Sequence, residues 1–525
     1  MKNMIRKVQQ MPNLPQPYSM RDWRKVALDY DRLVFDFHAQ GDFLPLPWMD
    51  DSHINTEKDV IGLPSYINSK KCRQNGRQEG INIMAAVLGA SACGVDKSHQ
   101  NGLDFVDMLE NFFSPREGEQ VFLNTFTNQS GHTFWYETYP NLLMAAISHF
   151  YHVDWLEEKL RLAADRYVAA VEAMGGEKAD FWHTAFSFSK METTDNGVWC
   201  EPEAAAGYAF VLYSAYRKFG KESYLDACKK SMDFLARCEK NPYYELLLPY
   251  GVYVAARLNR EHGCHYPIEK IANWCFDGDS DCRFGWGVIA ERWGDYDCHG
   301  LCGSLTDWGQ RWDLMNDANS SREVDPVKSG YAFAGNTFSM AAGILSAVRY
   351  DPRLAHDAGK WFLNAANASR LFYQNAHGPK SQSCAFFTDD PDYCIAYEGL
   401  RKYWDGMSPY ATGDPIRYSW GSIDLGLYGS SHVGMFGAVY GSTDVEGILC
   451  LNCGAVDFID SDCGETRLLY NPYPEAKTVH LNGLPQGCWT DAVSGKKLGC
   501  TQDGQLSVSI PEDGAVLAVL EKENP

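Results

Sequence analysis

Three stretches share one grammar: "FYHVDWLEEKLRLAADRYVAAVEAM" (150–174), "AYRKFGKESYLDACKKSMDFLARC" (215–238) and "VRYDPRLAHDAGKWFLNAANASRLF" (348–372). In each, an apolar helix ends, a short polar turn follows, and a second helix opens on an apolar anchor and continues with alanines and aromatics at helical spacing. A chain that repeats this unit folds into stacked helical hairpins.

The two helices of each unit differ in kind. The first is apolar or small on most sides: "NLLMAAISHFY" after Pro140, "EAAAGYAFVLYSAY" after Pro202, "ELLLPYGVYVAARL" from Glu245 and "TFSMAAGILSAV" from Thr337. The second carries Lys, Arg and Glu along one face. A helix apolar all round is buried, whereas one with a charged stripe faces water. Alternation of the two predicts an inner ring wrapped by an outer ring. Adding "REGINIMAAVLGASACG" with "LDFVDMLENFF" near the start and "SSHVGMFGAVYG" near the end brings the count to roughly six hairpins, an (α/α)6 toroid.

Long connections rich in Gly, Trp, Tyr, Asp and His lead into the inner helices, among them "FLPLPWMDDSHINTEKD", "TNQSGHTFWYETYP", "FWHTAFSFSKMETTDNGVWCEPE" and "RFGWGVIAERWGDYDCHGLCGSLTDWGQRWD". Loops of this length are uncommon without a function. All are expected at one end of the barrel, its mouth. From about Thr443 the pattern changes to short alternating runs, "RLLYNPY", "KTVHLNG", "CWTDAV", "QLSVSI" and "AVLAVLEK", which read as strands of a small antiparallel β-sandwich. The expected division is 1–440 for the toroid and 441–525 for the sandwich.

With "KFGKESYLDACKKSMDFL" as a helix pair and "EPEAAAGYAFVLYSAY" as an inner helix, the chain resembles the six-hairpin glycosidase-like superfamily of toroidal glycoside hydrolases and polysaccharide lyases, several of which end in a β-sandwich. The resemblance covers nearly the whole chain in architecture, identifies no individual family and transfers no complete catalytic signature. It implies a carbohydrate substrate bound at the mouth.

Bulk properties narrow the partners. The 525 residues carry 47 basic and 68 acidic side chains, a formal charge of −21, which argues against nucleic acid, an anionic membrane or a polyanionic substrate. The 15 Trp and 29 Tyr suit sugar stacking as well as a large core. "MKNMIRKVQQMPNLPQP" has positive charge with no apolar run behind it, so neither signal peptide nor anchor is expected. Seventeen cysteines without framework spacing are expected as reduced thiols in a cytoplasm.

Glycoside hydrolysis takes two carboxyl groups, one protonated to release the leaving oxygen and one ionised to activate water or attack the sugar. The catalytic candidates are Glu201 and Glu203, which flank Pro202 at the head of an inner helix, Asp307 in "SLTDWGQRWD", Asp51 in "WMDDSHIN" and Glu137 in "GHTFWYETYP". Helix capping is the competing reading for Glu201 and Glu203, a structural ion pair with Arg311 for Asp307, and simple solvation for Asp51. Trp48, His132, Trp135, Tyr136, His183, Trp199, Trp308, Arg311 and Trp312 are the substrate-binding candidates. No metal or cofactor is expected: "DYDCHGLC" offers half a zinc ligand set, and "DGDSD" lacks the closing glutamate of a calcium loop. The leading reading is a glycoside hydrolase acting on an oligosaccharide. A lyase on the same scaffold, with Tyr136 or a histidine as base and Asn336 or Arg417 around a uronate, is the alternative, and a sugar epimerase or isomerase using paired histidines is a third. Oligomeric state is not legible.

Overall fold

The computed structural model describes residues 4–67, 78–125, 129–306, 325, 327–417, 419, 421–461 and 463–521. Its helices are α1 (Trp23–Val34), α2 (Gly80–Ala92), α3 (Phe134–Ile147), α4 (Asp154–Ala173), α5 (Ala204–Phe219), α6 (Glu222–Arg237), α7 (Leu248–His262), α8 (Ile268–Asp277), α9 (Ala334–Val348), α10 (Ala355–Ser369) and the short α11 (Asp414–Arg417), α12 (Leu427–Ser430) and α13 (Val433–Val439).

Burial separates them into the two kinds expected. Every residue of α9 is buried, as is all of α2 from Gly80 to Ser91. On α4 the buried positions are Leu156, Leu160, Ala163, Ala164, Tyr167, Ala170 and Val171, one stripe at three- and four-residue spacing. The inner helices pack in sequence, α2 on α3, α3 on α5, α5 on α7, α7 on α9 and α9 on α13, and α13 returns to α2. The ring is therefore closed. Outside it, α4 and α6 lie against α5, α8 against α7, α10 against α9, and α1 against α13 and α2. The closing seam needs a very close approach: a Cβ added at Gly89 of α2 would lie 2.8 Å from the Cα of Gly434 on α13. This double ring is the (α/α)6 toroid.

One expected outer helix is different. "LDFVDMLENFF" forms only a 3-10 turn over Asp107–Phe112, packed on α2. Its buried Met108, Leu109, Asn111 and Phe112 include an asparagine whose side chain accepts from the Asn55 N–H, so tertiary bonding overrides the helical pattern.

The C-terminal region carries the antiparallel strands expected there. One sheet runs in the order Cys450–Asn452, Thr466–Asn471, Gly514–Leu520, Cys488–Asp491 and Lys497–Cys500, and Lys477–Leu481 pairs with Leu506–Ile510. Leu469, Val479, Trp489, Val508, Ile510 and Val516 belong to an apolar cluster of their own. Alternation decides which face is in: Lys477–Leu481 and Leu506–Ile510 each bury every second residue along most of their length. Cys488 and Cys500 face each other across two strands and are joined in a disulfide, which corrects the expectation of reduced thiols throughout.

Buried charge, with the apolar core that continues through Leu451, Val456, Phe458 and Leu468, ties the segment after the last inner helix to α7 and α9. Asp457 accepts from the hydroxyls of Tyr253 and Tyr350 (2.6 Å to Tyr350) and pairs with Arg349, while Arg257 donates to the Ile459 carbonyl at 2.9 Å. Arg257, Arg349 and Tyr350 sit in the C-terminal part of α7 or just after α9, away from the end where the inner helices begin, and Tyr253 lies one turn before Arg257. No described helix is long and apolar enough to cross a membrane.

Candidate functional site at the mouth

α3, α5, α7 and α9 are each followed by a helix that runs back, so the inner N-termini gather at one end, where their unpaired N–H groups favour carboxylates. Glutamates supply them. Glu137, near the start of α3, accepts from the backbone N–H groups of Gly131 (2.6 Å), His132 (2.8 Å), Thr133 (3.3 Å) and Phe186 (3.2 Å). Glu201 accepts from the Thr133 hydroxyl, the Trp135 N–H (2.7 Å) and the Trp199 indole N–H (2.9 Å). Glu203 does not cap its own helix. Its carboxylate reaches across to α7 and accepts from the N–H groups of Glu245 (2.6 Å), Leu246 (3.1 Å) and Leu248 (2.8 Å).

All three are buried. Burial pushes the Glu137 and Glu203 carboxyls up to about 8 and that of Glu201 up to about 7, against the pull of the N–H donors toward the ionised form. Both oxygens of each are engaged in these bonds.

Two further glutamates, which the sequence reading did not single out, have different surroundings. Glu245 lies just before α7, with its side chain 17% exposed. One oxygen pairs with Arg283 and the other accepts from the Asn336 amide at 3.3 Å. The Glu245 carbonyl accepts from the Trp286 indole at 2.9 Å and the Asn336 amide at 3.1 Å, which fixes the backbone beneath the carboxylate. Arg283 lies 3.8 Å above the Trp286 ring. Burial raises the Glu245 carboxyl, while Arg283 and Asn336 act to hold it ionised.

Glu398 precedes the strand Gly399–Arg401, in the five-stranded sheet Trp286–Val288, Cys302–Ser304, Tyr331–Phe333, Gly399–Arg401 and Tyr410–Thr412. It accepts from the hydroxyls of Tyr66 (2.8 Å) and Tyr331 (2.9 Å) and from the Asp414 N–H (2.6 Å). Burial, with the Asp414 carboxylate beside it, pushes Glu398 up to about 7. Asp414 is itself paired with Arg401 at 2.5 Å.

Aromatic side chains join these groups. Trp135 stacks on Tyr139 at 4.7 Å and donates its indole N–H to the Tyr428 hydroxyl at 3.1 Å. The Tyr136 hydroxyl bonds to Tyr428, and its phenol is pushed up by burial and by the charges of Glu79, Glu245 and Glu201. Glu79, at the head of α2, accepts from the Asn124 amide at 3.0 Å and from the Ser65 hydroxyl. Tyr139 in turn stacks on His432, which burial lowers to about 4.

The structure thus brings Glu137, Glu201, Glu203, Trp135, Tyr136 and Trp199 to one end of the ring. His132 is exposed there, and His183 pairs with Asp195 at 2.9 Å. Asp51 is exposed beyond the short strand Trp48–Asp50, whose Trp48 pairs with Gly62. Asp307, Trp308, Arg311 and Trp312 lie outside the described residues. Among the described residues, no group of three or more His, Cys, Asp or Glu is arranged to hold a metal ion.

No protein-family model matches the chain. No curated protein matches it. Solved structures do. A family 76 glycoside hydrolase from a bovine Bacteroides thetaiotaomicron strain is 10% identical over 80% of this chain and 77% of its own, with a TM-score of 0.45. A cellobiose 2-epimerase from Spirochaeta thermophila is 11% identical over 79% and 96%, at 0.45. A family 127 β-L-arabinofuranosidase from Geobacillus stearothermophilus T6 is 12% identical over 96% and 81%, at 0.37. The six-hairpin architecture is read from this chain's own closed ring, and its chemistry from its own side chains.

Proposed function

We propose that this protein is a glycoside hydrolase acting on a neutral oligosaccharide at the mouth of the toroid, with Glu245 as the ionised base and Glu398 as the protonated acid. The observation that carries the reading is the contrast between these two carboxyls. Each accepts side-chain bonds, each retains some exposure, and their charged neighbours differ: the Arg283 guanidinium draws Glu245 toward the ionised form, whereas the Asp414 carboxylate and burial push Glu398 up against the pull of its two phenol donors. Two carboxyl groups set apart in this way supply the acid and the base that acetal hydrolysis needs.

In the proposed reaction Glu398 donates its proton to the leaving glycosidic oxygen while Glu245 takes a proton from the attacking water. Glu203 is a positioning residue, because it accepts the N–H of Glu245 itself. Glu137 and Glu201 hold the loop and helix end that carry Trp135 and Tyr136, which contact the sugar together with Trp199 and Tyr428. Asp307 stays in the proposal as a further candidate carboxylate, and Trp308, Arg311 and Trp312 as further sugar contacts. The acidic balance around Tyr136 favours an uncharged sugar over a uronate. The lyase alternative needs a phenol ready to ionise, and the upward push on Tyr136 counts against it. A division into a toroid over 1–440 and a β-sandwich over 441–525 is part of the same proposal.

Incubation with a panel of neutral oligosaccharides tests it, with new reducing ends measured against time. Mass-neutral conversion of a sugar, or ultraviolet absorbance from an unsaturated uronate, would show that the hydrolase reading is wrong.

A further inference from the structure

We propose that Cys200 and Cys282 form a reversible disulfide that ties two walls of the mouth together. Their sulfurs lie 3.6 Å apart, and they are the only such thiol–thiol contact among the described free cysteines. Both residues are half-buried, so a small disulfide in solution reaches them. Most of the other described free thiols are buried, including Cys228, Cys275 and Cys453.

The neighbours of each cysteine give the bridge its consequence. Cys200 directly precedes Glu201, which holds the N–H of Trp135 at the start of α3. Cys282 directly precedes Arg283, the partner of Glu245. The backbone on the Cys282 side is already set: the Asp281 N–H donates to the Asn241 carbonyl at 3.0 Å, and the N–H groups of Cys282 and Arg283 donate to the Ser280 hydroxyl at 3.1 and 3.0 Å. On the Cys200 side the Glu201 N–H donates to the His183 carbonyl at 2.8 Å. Two anchored loops with thiols in contact can close a bond with little rearrangement.

The chemistry needs an external oxidant, here a low-molecular-weight disulfide. The Cys200 thiol loses its proton and its sulfur attacks one sulfur of the oxidant, forming a mixed disulfide and releasing one small thiol. The Cys282 sulfur then attacks Cys200, forms the internal S–S bond and expels the second small thiol. Two protein thiols are oxidised, one external disulfide is reduced, and both protons leave on the small thiols. Cys200 suits the first step, since the hydrogen bond from Cys282 lowers its thiol below the ordinary value. The bridge is independent of which reaction the mouth performs.

The test uses the full chain, reduced, desalted and incubated with oxidised glutathione, then blocked with N-ethylmaleimide and digested without reductant. The expected result is a crosslinked peptide pair joining Cys200 to Cys282, reversed by dithiothreitol and absent from Cys200→Ser and Cys282→Ser. The oxidised wild type is also expected to melt several degrees above the reduced protein, while oxidised Cys282→Ser, which keeps the Cys488–Cys500 bridge, lacks that part of the rise. N-ethylmaleimide on both residues, a glutathione adduct that persists on Cys200, or bridges to other cysteines would each overturn the proposal.

Discussion

At the mouth, Glu137 and Glu203 accept only from backbone N–H groups, and Glu201 from one backbone N–H beside a hydroxyl and an indole; Glu245 and Glu398 accept mainly from arginine, amide and phenol side chains. Both sets are glutamates at helix or strand starts, and both are pushed up by burial. They differ in what their bonds hold in place. A carboxylate that collects main-chain donors fixes a loop to a helix end. One that collects movable side chains is itself being held, with its charge state left to its surroundings. Resemblance in residue type and position is therefore a poor guide to role here.

The sharpest way to break the comparison is Glu245→Gln. It keeps the shape and the Asn336 contact but removes the base, so turnover of a hydrolysed oligosaccharide is expected to fall about 1,000-fold, while the variant still folds with a melting temperature lowered by the loss of the Arg283 pair. Full activity in a folded variant would move Glu245 into the supporting set. Glu203→Ala is expected to do the reverse. Three buried N–H groups lose their acceptor, each costing about 1 kcal/mol, so urea unfolding is expected to show a loss of about 3 kcal/mol. Activity per folded molecule falls as well, through Glu245, and Glu203→Gln recovers part of both. Stability equal to wild type in the alanine variant would show that these bonds hold nothing.

Glu398→Gln sharpens the other half. Turnover is expected to drop about 100-fold, and the alkaline limb of the rate profile, which Glu398 sets near neutrality because its carboxyl stands at about 7, is expected to disappear. An unchanged limb would assign the proton donor elsewhere. The smallest effect is on stability against pH. Glu137 and Glu203 at about 8, and Glu201 at about 7, keep protons in the folded state that the unfolded chain releases above about pH 4.5. Their contribution is complete below that unfolded value and is lost as pH rises through 7 to 8. The melting temperature is thus expected to fall between about pH 5 and about pH 8, and a rise over that interval would contradict the burial argument.

The ring was legible because each of its helices declares its environment: "TFSMAAGILSAV" has no polar face and "ESYLDACKKSMDFLAR" has one. The sheet at the mouth was not, since strands of three residues such as Tyr331–Phe333 are too short to show a period. Glu201 and Glu203 stood out beside Pro202, but the helix that Glu203 serves is α7, a partner that only folding reveals. Glu245 reads as the first letter of an apolar helix, and Glu398 sits in "AYEGL" with no neighbouring signal at all. Spacing along a helix reports which face is wet. It is silent about which distant loop a carboxylate will meet.

The seam where Gly89 meets Gly434 sets an order of events during synthesis. Until the last inner helix has left the ribosome, the apolar flank of α2 has nothing to lie against, and the circle stays an arc with two sticky ends. A chain stopped before Val433 is expected to carry that open flank permanently and to self-associate, however well its earlier hairpins have formed.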